Sequence, residues 1–148
     1  MTEDDTYTVT YQDTGPDEHL VTLGSEALTD IRIDYTDLPE DRRRGTAVKL
    51  LCASTLYCFA YTFRSALLAR GATVKALTGQ ATAVKEKDDM FRAKVTRIRI
   101  TLTVDIDDQD LPILAKCKSI MKQGCLVTHS VREAIDIEYD IRRKPDQT

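Results

Sequence analysis

Between Thr46 and Gly71 the chain reads TAVKLLCASTLYCFAYTFRSALLARG, and the other elements must be arranged to shelter this stretch. From Leu50 to Phe63 it is apolar or small almost without a break, and it holds no Gly or Pro. Such a run is too long for a strand and predicts one helix over residues 46–70, with Gly71 as the residue that ends it. A surface helix shows a single apolar stripe; this one is apolar on most faces, the pattern of a helix buried in a core or clasped between subunits. Its fully apolar part is about 14 residues, short of the ~20 that cross a bilayer, and Arg64 and Arg70 follow closely, so no membrane partner is expected. Cys58 lies at its middle. A thiol there is either inert packing or a sheltered nucleophile.

Size and charge narrow the class. The 148 residues suit one domain, expected over 1–148 with frayed ends at 1–5 and 142–148. A net charge of −3 gives no global attraction to nucleic acid or to anionic lipid. The opening MTEDDTYT is acidic and lacks an apolar core for a secretory signal, so a cytoplasmic chain is expected. The four cysteines, at 52, 58, 117 and 125, form no CxxC pair. Structural zinc sites use short spacings, so neither a metal nor a secreted disulfide scaffold is expected. No Gly-rich phosphate loop or hydrolase triad is present, and Arg97 and Arg99 read as a solvated sheet face.

Taken in order, Thr6–Gln12 alternates as a strand, 13–17 is a turn, His19–Leu23 returns, and a third strand starts near Thr29. Residues 37–45 form a polar loop before the helix. Thr73–Lys85 and Phe91–Ile106 read as a long hairpin, with Ile98, Ile100, Leu102, Val104 and Ile106 on one face. Residues 107–123 are spaced as a second helix that Gly124 ends or kinks, and Arg132–Ile141 alternates as a last strand. Strands in blocks with two helices between them define an α+β fold, βββ–α–ββ–α–β.

On this frame the surroundings of two cysteines resemble the OsmC/Ohr family of osmotically induced and organic hydroperoxide resistance proteins. Gly45, then Leu50-Leu51, then Cys58 follow the family's first helix pattern. Cys125-Leu126-Val127-Thr128 follows its downstream Cys-Pro-Val-Ser, 67 residues later. The resemblance covers Gly45–Ile141 and implies antiparallel sheets around a long buried central helix in an intertwined homodimer. It also implies Cys58 as the thiolate that attacks a hydroperoxide and Cys125 as the resolving thiol, with an external dithiol as reductant and no bound cofactor.

Two departures bear on that activity. The family's Glu near the helix start is replaced by Val48 and Lys49, and the first hairpin, Thr6–Leu23, contains no Arg. Lys49, the triplet Arg42–Arg44 and His129 are conceivable substitutes, against plainer readings as a solvated loop and a polar residue near a turn. Cys52, about 240° round the helix from Cys58, and Cys117 read as core packing. The leading expectation is thiol-dependent reduction of organic hydroperoxides by Cys58 and Cys125. The alternative is a non-catalytic dimer of the same fold that binds a small apolar ligand, because a thiol buried without a cation is inert.

Overall fold

The computed structural model describes residues 5–145, and its architecture is the α+β fold expected. The chain forms two compact units, one running up to Arg44 and the other starting at Gly45.

The first unit is an antiparallel meander of β1 (Thr10–Gly15), β2 (Glu18–Thr22) and β3 (Ile31–Asp34). The first strand starts later than its alternation suggests. Its pairing runs from Thr10↔Thr22 to Gly15↔Glu18, so residues 6–9 have no opposing strand. Tyr7 is accordingly 91% exposed, Tyr11 is 65% exposed although paired with Val21, and no residue from 5 to 44 is buried. The loop after β3 is not simply solvated. Arg43 donates from Nε to the Leu38 carbonyl at 2.7 Å and from Nη1 to Asp17 at 2.8 Å, and its guanidinium sits 5.6 Å from the Tyr35 ring centre. One of the three loop arginines is therefore committed to holding its own unit together.

The second unit begins with α1 (Thr46–Ala69). Gly45 enters it at φ 89°, and Gly71 leaves it at φ 86°, both left-handed angles that favour glycine. At the C-terminus the Gly71 N–H bonds the Leu68 carbonyl and the Ala72 N–H bonds that of Leu67, a Schellman closure. The buried residues of α1 are Thr55, Phe59, Phe63 and Leu67, one stripe in steps of four. In the single chain the helix is thus covered on one face, while Tyr57 and Tyr61 stand 67% and 57% exposed. Residues 40–69 are long and apolar enough to cross a membrane, as the core helix of a globular protein also can be; the Phe59–Phe63 stripe here belongs to a protein core.

That core is made by β5. Strands β4 (Ala76–Lys87) and β5 (Ala93–Asp105) pair from Ala76↔Asp105 to Lys87↔Ala93. The alternation read from the sequence holds, with Ile98, Ile100, Leu102, Val104 and Ile106 all at most 2% exposed. After a short 3-10 turn come α2 (Leu111–Ile120), a second such turn at Met121–Gln123, and a helix not foreseen from the sequence, α3 (Leu126–Val131). Strand β6 (Asp136–Arg143) then pairs with β5 in parallel, from Arg97↔Asp136 to Val104↔Arg143. The sheet is therefore mixed, not wholly antiparallel: a parallel neighbour needs a crossover, and α2 and α3 supply it. The end of the chain also differs from expectation. Arg142 and Arg143 lie in β6, Arg143 donates to the Ile106 carbonyl, and the Lys144 N–H bonds the Val104 carbonyl at 2.7 Å. Residues 1–4 and 146–148, the rest of the expected frayed ends, lie outside the described residues.

Gly79 marks a close approach between β4 and its neighbours. A Cβ there would lie 2.5 Å from Leu102 Cδ2 and 2.9 Å from the Thr101 carbonyl oxygen, and Leu102 is fully buried. Gly79→Ala is expected to lower unfolding stability by about 1–3 kcal/mol, the usual effect of overpacking. Urea denaturation checks this: the midpoint falls while the slope stays constant.

Candidate functional site

Cys58 sits on α1 one residue before Phe59, so it borders the buried stripe and is half-buried against the core. Cys125 is set by the break between α2 and α3. Gly124, at φ 77°, turns the chain out of the 3-10 turn, and Cys125 follows in an extended conformation as the N-cap of α3. Thr128 completes the cap. Its Oγ1 accepts the Cys125 N–H at 2.8 Å, and its own N–H donates to Cys125 Sγ at 3.5 Å. The geometry is a capping box with a sulfur in the place of the usual oxygen. Gly124 leaves room for it, since a Cβ there would meet Thr128 Oγ1 at 2.6 Å.

Helices α1 and α3 pack together, and this sets the two cysteines, 67 residues apart in sequence, close enough that each thiol acts on the ionisation of the other. Their electrostatics diverge. Burial pushes the Cys58 thiol up, and the neighbouring Cys125 sulfur adds to this, while the Val127 and Leu126 N–H groups offset part of it. Burial acts to raise Cys125 too but is outweighed. The Thr128 hydroxyl and N–H, the Cys58 S–H and the Val127 N–H together bring Cys125 below the ordinary thiol value. The groups acting most on both sulfurs are uncharged donors and each other, with no cation among them.

A depression of about 710 Å³ opens beside Cys125, lined also by Thr62, Lys122, Leu126, His129 and Arg132. His129 thus shares the neighbourhood of Cys125, on a segment that is helical. The hydrogen bonds to Cys125 Sγ come from Thr128, not from the imidazole. Lys49 is elsewhere: it is exposed and lines a groove of about 720 Å³ between α1 and β4, with Cys52, Leu56, Ala81 and Lys85. Cys52 therefore borders a groove, where core packing was expected. Cys117 is fully buried, and burial pushes its thiol up, with Arg70 offsetting part of the effect. Gly124 does end the second helical stretch, as its position in the sequence suggests, whereas the capping role of Thr128 escaped sequence reasoning because cysteine is not among the usual helix-start residues.

With the fold and the thiol pair in place, relatives can be compared. A family model for OsmC-like proteins matches residues 39–140. The chain belongs to the OsmC-like family. Among solved structures, an OsmC-like protein from Mycoplasma pneumoniae superposes with TM-score 0.73 at 11% identity, covering 96% of this chain and 99% of the other. An organic hydroperoxide resistance protein OsmC from Legionella pneumophila gives 0.56 at 14% identity, over 92% and 97% of the two chains. The organic hydroperoxide resistance protein OhrB of Bacillus subtilis gives 0.54 at 15%, over 93% and 98%. A search of curated protein sequences found no significant match.

The burial differences predict an order of thiol accessibility. Under iodoacetamide at mildly alkaline pH, Cys52 is expected to alkylate in the native protein while Cys117 stays unmodified. Cys117 should gain the label only in denaturant, as peptide mass spectrometry would show; native labelling of Cys117 contradicts its burial.

Proposed function

We propose that this protein reduces organic hydroperoxides through the Cys58/Cys125 pair. The observation that supports the reading is the proximity of Cys58 and Cys125, 67 residues apart in sequence yet close enough to act on each other's ionisation, as an attacking and a resolving thiol would have to be. Membership of a family that includes organic hydroperoxide resistance proteins supports it. In the net reaction a hydroperoxide and two thiols give an alcohol, water and a disulfide, and an external dithiol then restores the thiols. No metal or cofactor is required. A cycle that depends on dithiol reductant belongs to a reducing compartment, the cytoplasm.

We infer further that the working form is a homodimer. The exposed Tyr57, Tyr61, Leu50 and Leu68 of α1, and a three-stranded sheet with no buried residue, leave apolar surface that one chain does not cover.

A second reading, a non-catalytic binder of a small apolar ligand, draws on the groove between α1 and β4 and on the burial that pushes the Cys58 thiol up. The two separate in one assay. Wild type with a dithiol is expected to consume cumene hydroperoxide, and Cys58→Ser and Cys125→Ser each to fall to the background of the dithiol alone. Consumption at background by the wild type, with no disulfide between the two cysteines on peptide mapping, would leave the binding reading in its place.

A further inference from the structure

We propose that the groove between α1 and β4 binds a small amphipathic carboxylate, its hydrocarbon chain lying between helix and strand and its head group held by Lys49 and Lys85. Cys58 and Cys125 do not line this groove, so the proposal holds whether or not the thiols reduce hydroperoxides. It takes the groove from the binding reading above and gives it a ligand class.

The groove exists because the core does not close at this end. By helical spacing, the stripe of α1 that packs on the sheet continues backwards from Phe59 and Thr55 to Cys52 and Val48. It is buried from Thr55 onward, whereas Cys52 and Val48 are only half-buried. The sheet opposite offers too little to meet them. Gly79, Ala81 and Ala83 pair with Leu102, Ile100 and Ile98, which are buried, so they form the inward row of β4. All three are small. A volume of about 720 Å³ is left between the two walls, with Val48, Cys52, Leu56, Ala81 and Ala83 around it. A hydrocarbon chain laid there would take apolar surface of both protein and ligand out of water.

Each wall of the groove carries a lysine. Alternation sets Lys85 on the same side of β4 as Ala81 and Ala83, so a charge continues an inward-facing row. Lys49 comes from the helix, and among the described residues no Asp or Glu lines the groove with them. Neither lysine makes an ion pair among the described residues. A lysine stem lies along apolar surface while its ammonium stays in water. Two such groups at the rim of an apolar slot suit a ligand with a buried chain and one hydrated negative charge. No aromatic side chain lines the slot among the described residues, so it offers no face on which a flat ring would stack.

A second copy of the chain is the competing occupant. The exposed apolar side chains on which the homodimer was inferred, Tyr57, Tyr61, Leu50 and Leu68, lie about 140° or more round the helix from Cys52. A dimer formed on that side leaves the groove side of α1 free. The two lysines also argue against a second copy there, because like charges brought together in a dry contact repel.

The test is the binding of decanoate to the full chain, by isothermal titration calorimetry below the concentration at which decanoate forms micelles. One saturable site per chain is expected, and bound decanoate should slow the alkylation of Cys52 by iodoacetamide while Cys58 labels at its unliganded rate. Lys49→Gln and Lys85→Gln are each expected to weaken decanoate binding about two- to fivefold, the range of an exposed ion pair, and to leave the binding of decanol unchanged. Ala83→Leu, which sets a larger side chain in the slot, should abolish decanoate binding; if that variant does not fold, Cys52 protection and the lysine variants decide. No saturable binding, or binding that leaves Cys52 as reactive as before, overturns the site. Affinity unmoved by both lysine changes overturns the head-group contacts. A Cys52 that is protected without ligand, and becomes reactive when dilution splits a dimer seen by light scattering, gives the groove to a second copy and overturns the proposal. Cumene hydroperoxide consumption is measured alongside: decanoate binding with background consumption overturns the reductase reading alone, and consumption without decanoate binding overturns this proposal alone.

Discussion

The contact on which the second unit depends is the seam between one stripe of α1 and one face of β5. Phe59, Phe63 and Leu67 meet Ile98, Ile100, Leu102 and Val104, and every one of these side chains is at most 1% exposed. A four-residue step on the helix and a two-residue step on the strand place apolar groups at matching intervals, so both elements are fixed by the same surface. Phe59 also lies 5.2 Å, ring to ring, from Tyr139 on β6, which extends the seam to the parallel strand. Cys58 owes its position to this seam: with its neighbour Phe59 locked inside, the thiol can point only to the margin of the core, where α3 passes.

Cys125 is fixed by a different means. Hydrophobic burial holds Cys58, whereas a backbone reversal at Gly124 and a polar cap from Thr128 hold Cys125. The two sulfurs inherit different chemistry from these different supports. A thiol at the edge of an apolar seam is desolvated with little in return, and its charged form is disfavoured. A thiol that serves as a helix cap is given donors in the course of closing the helix. The asymmetry of the pair thus follows from local structure and needs no charged residue, which matters in a chain that has Val48 and Lys49 near the helix start.

Much of this was legible in the residues. The length of α1, its glycine stop and the buried alternation of β5 are repeating or punctuated signals, and such signals survive folding. The pairing of Cys58 with Cys125 was legible only as an implication of the resemblance to the OsmC/Ohr family. What was not legible depends on contacts made at a distance. The late start of β1 is set by where β2 ends, and the parallel sense of β6 by the crossover, neither of which is written in the strand itself. Arg43 looks like one of three equivalent loop charges until Asp17, Leu38 and Tyr35 are brought beside it. The cap at Cys125 was hidden because cysteine is not among the residues usually read as helix caps.

The crossover that makes β6 parallel to β5 has a further consequence. Cys58 lies before the β4–β5 hairpin, and Cys125 lies inside the crossover that follows it. A bond between them would close a ring containing the whole hairpin and α2. By the chain-entropy account, closing a loop of 67 residues removes freedom from the unfolded chain worth about 4 kcal/mol at room temperature. Each oxidation would thus rivet the sheet to its central helix, and each reduction would release it. The resistance of the chain to unfolding would then rise and fall with the redox state of the two thiols, a mechanical tightening and loosening of the sheet on its helix.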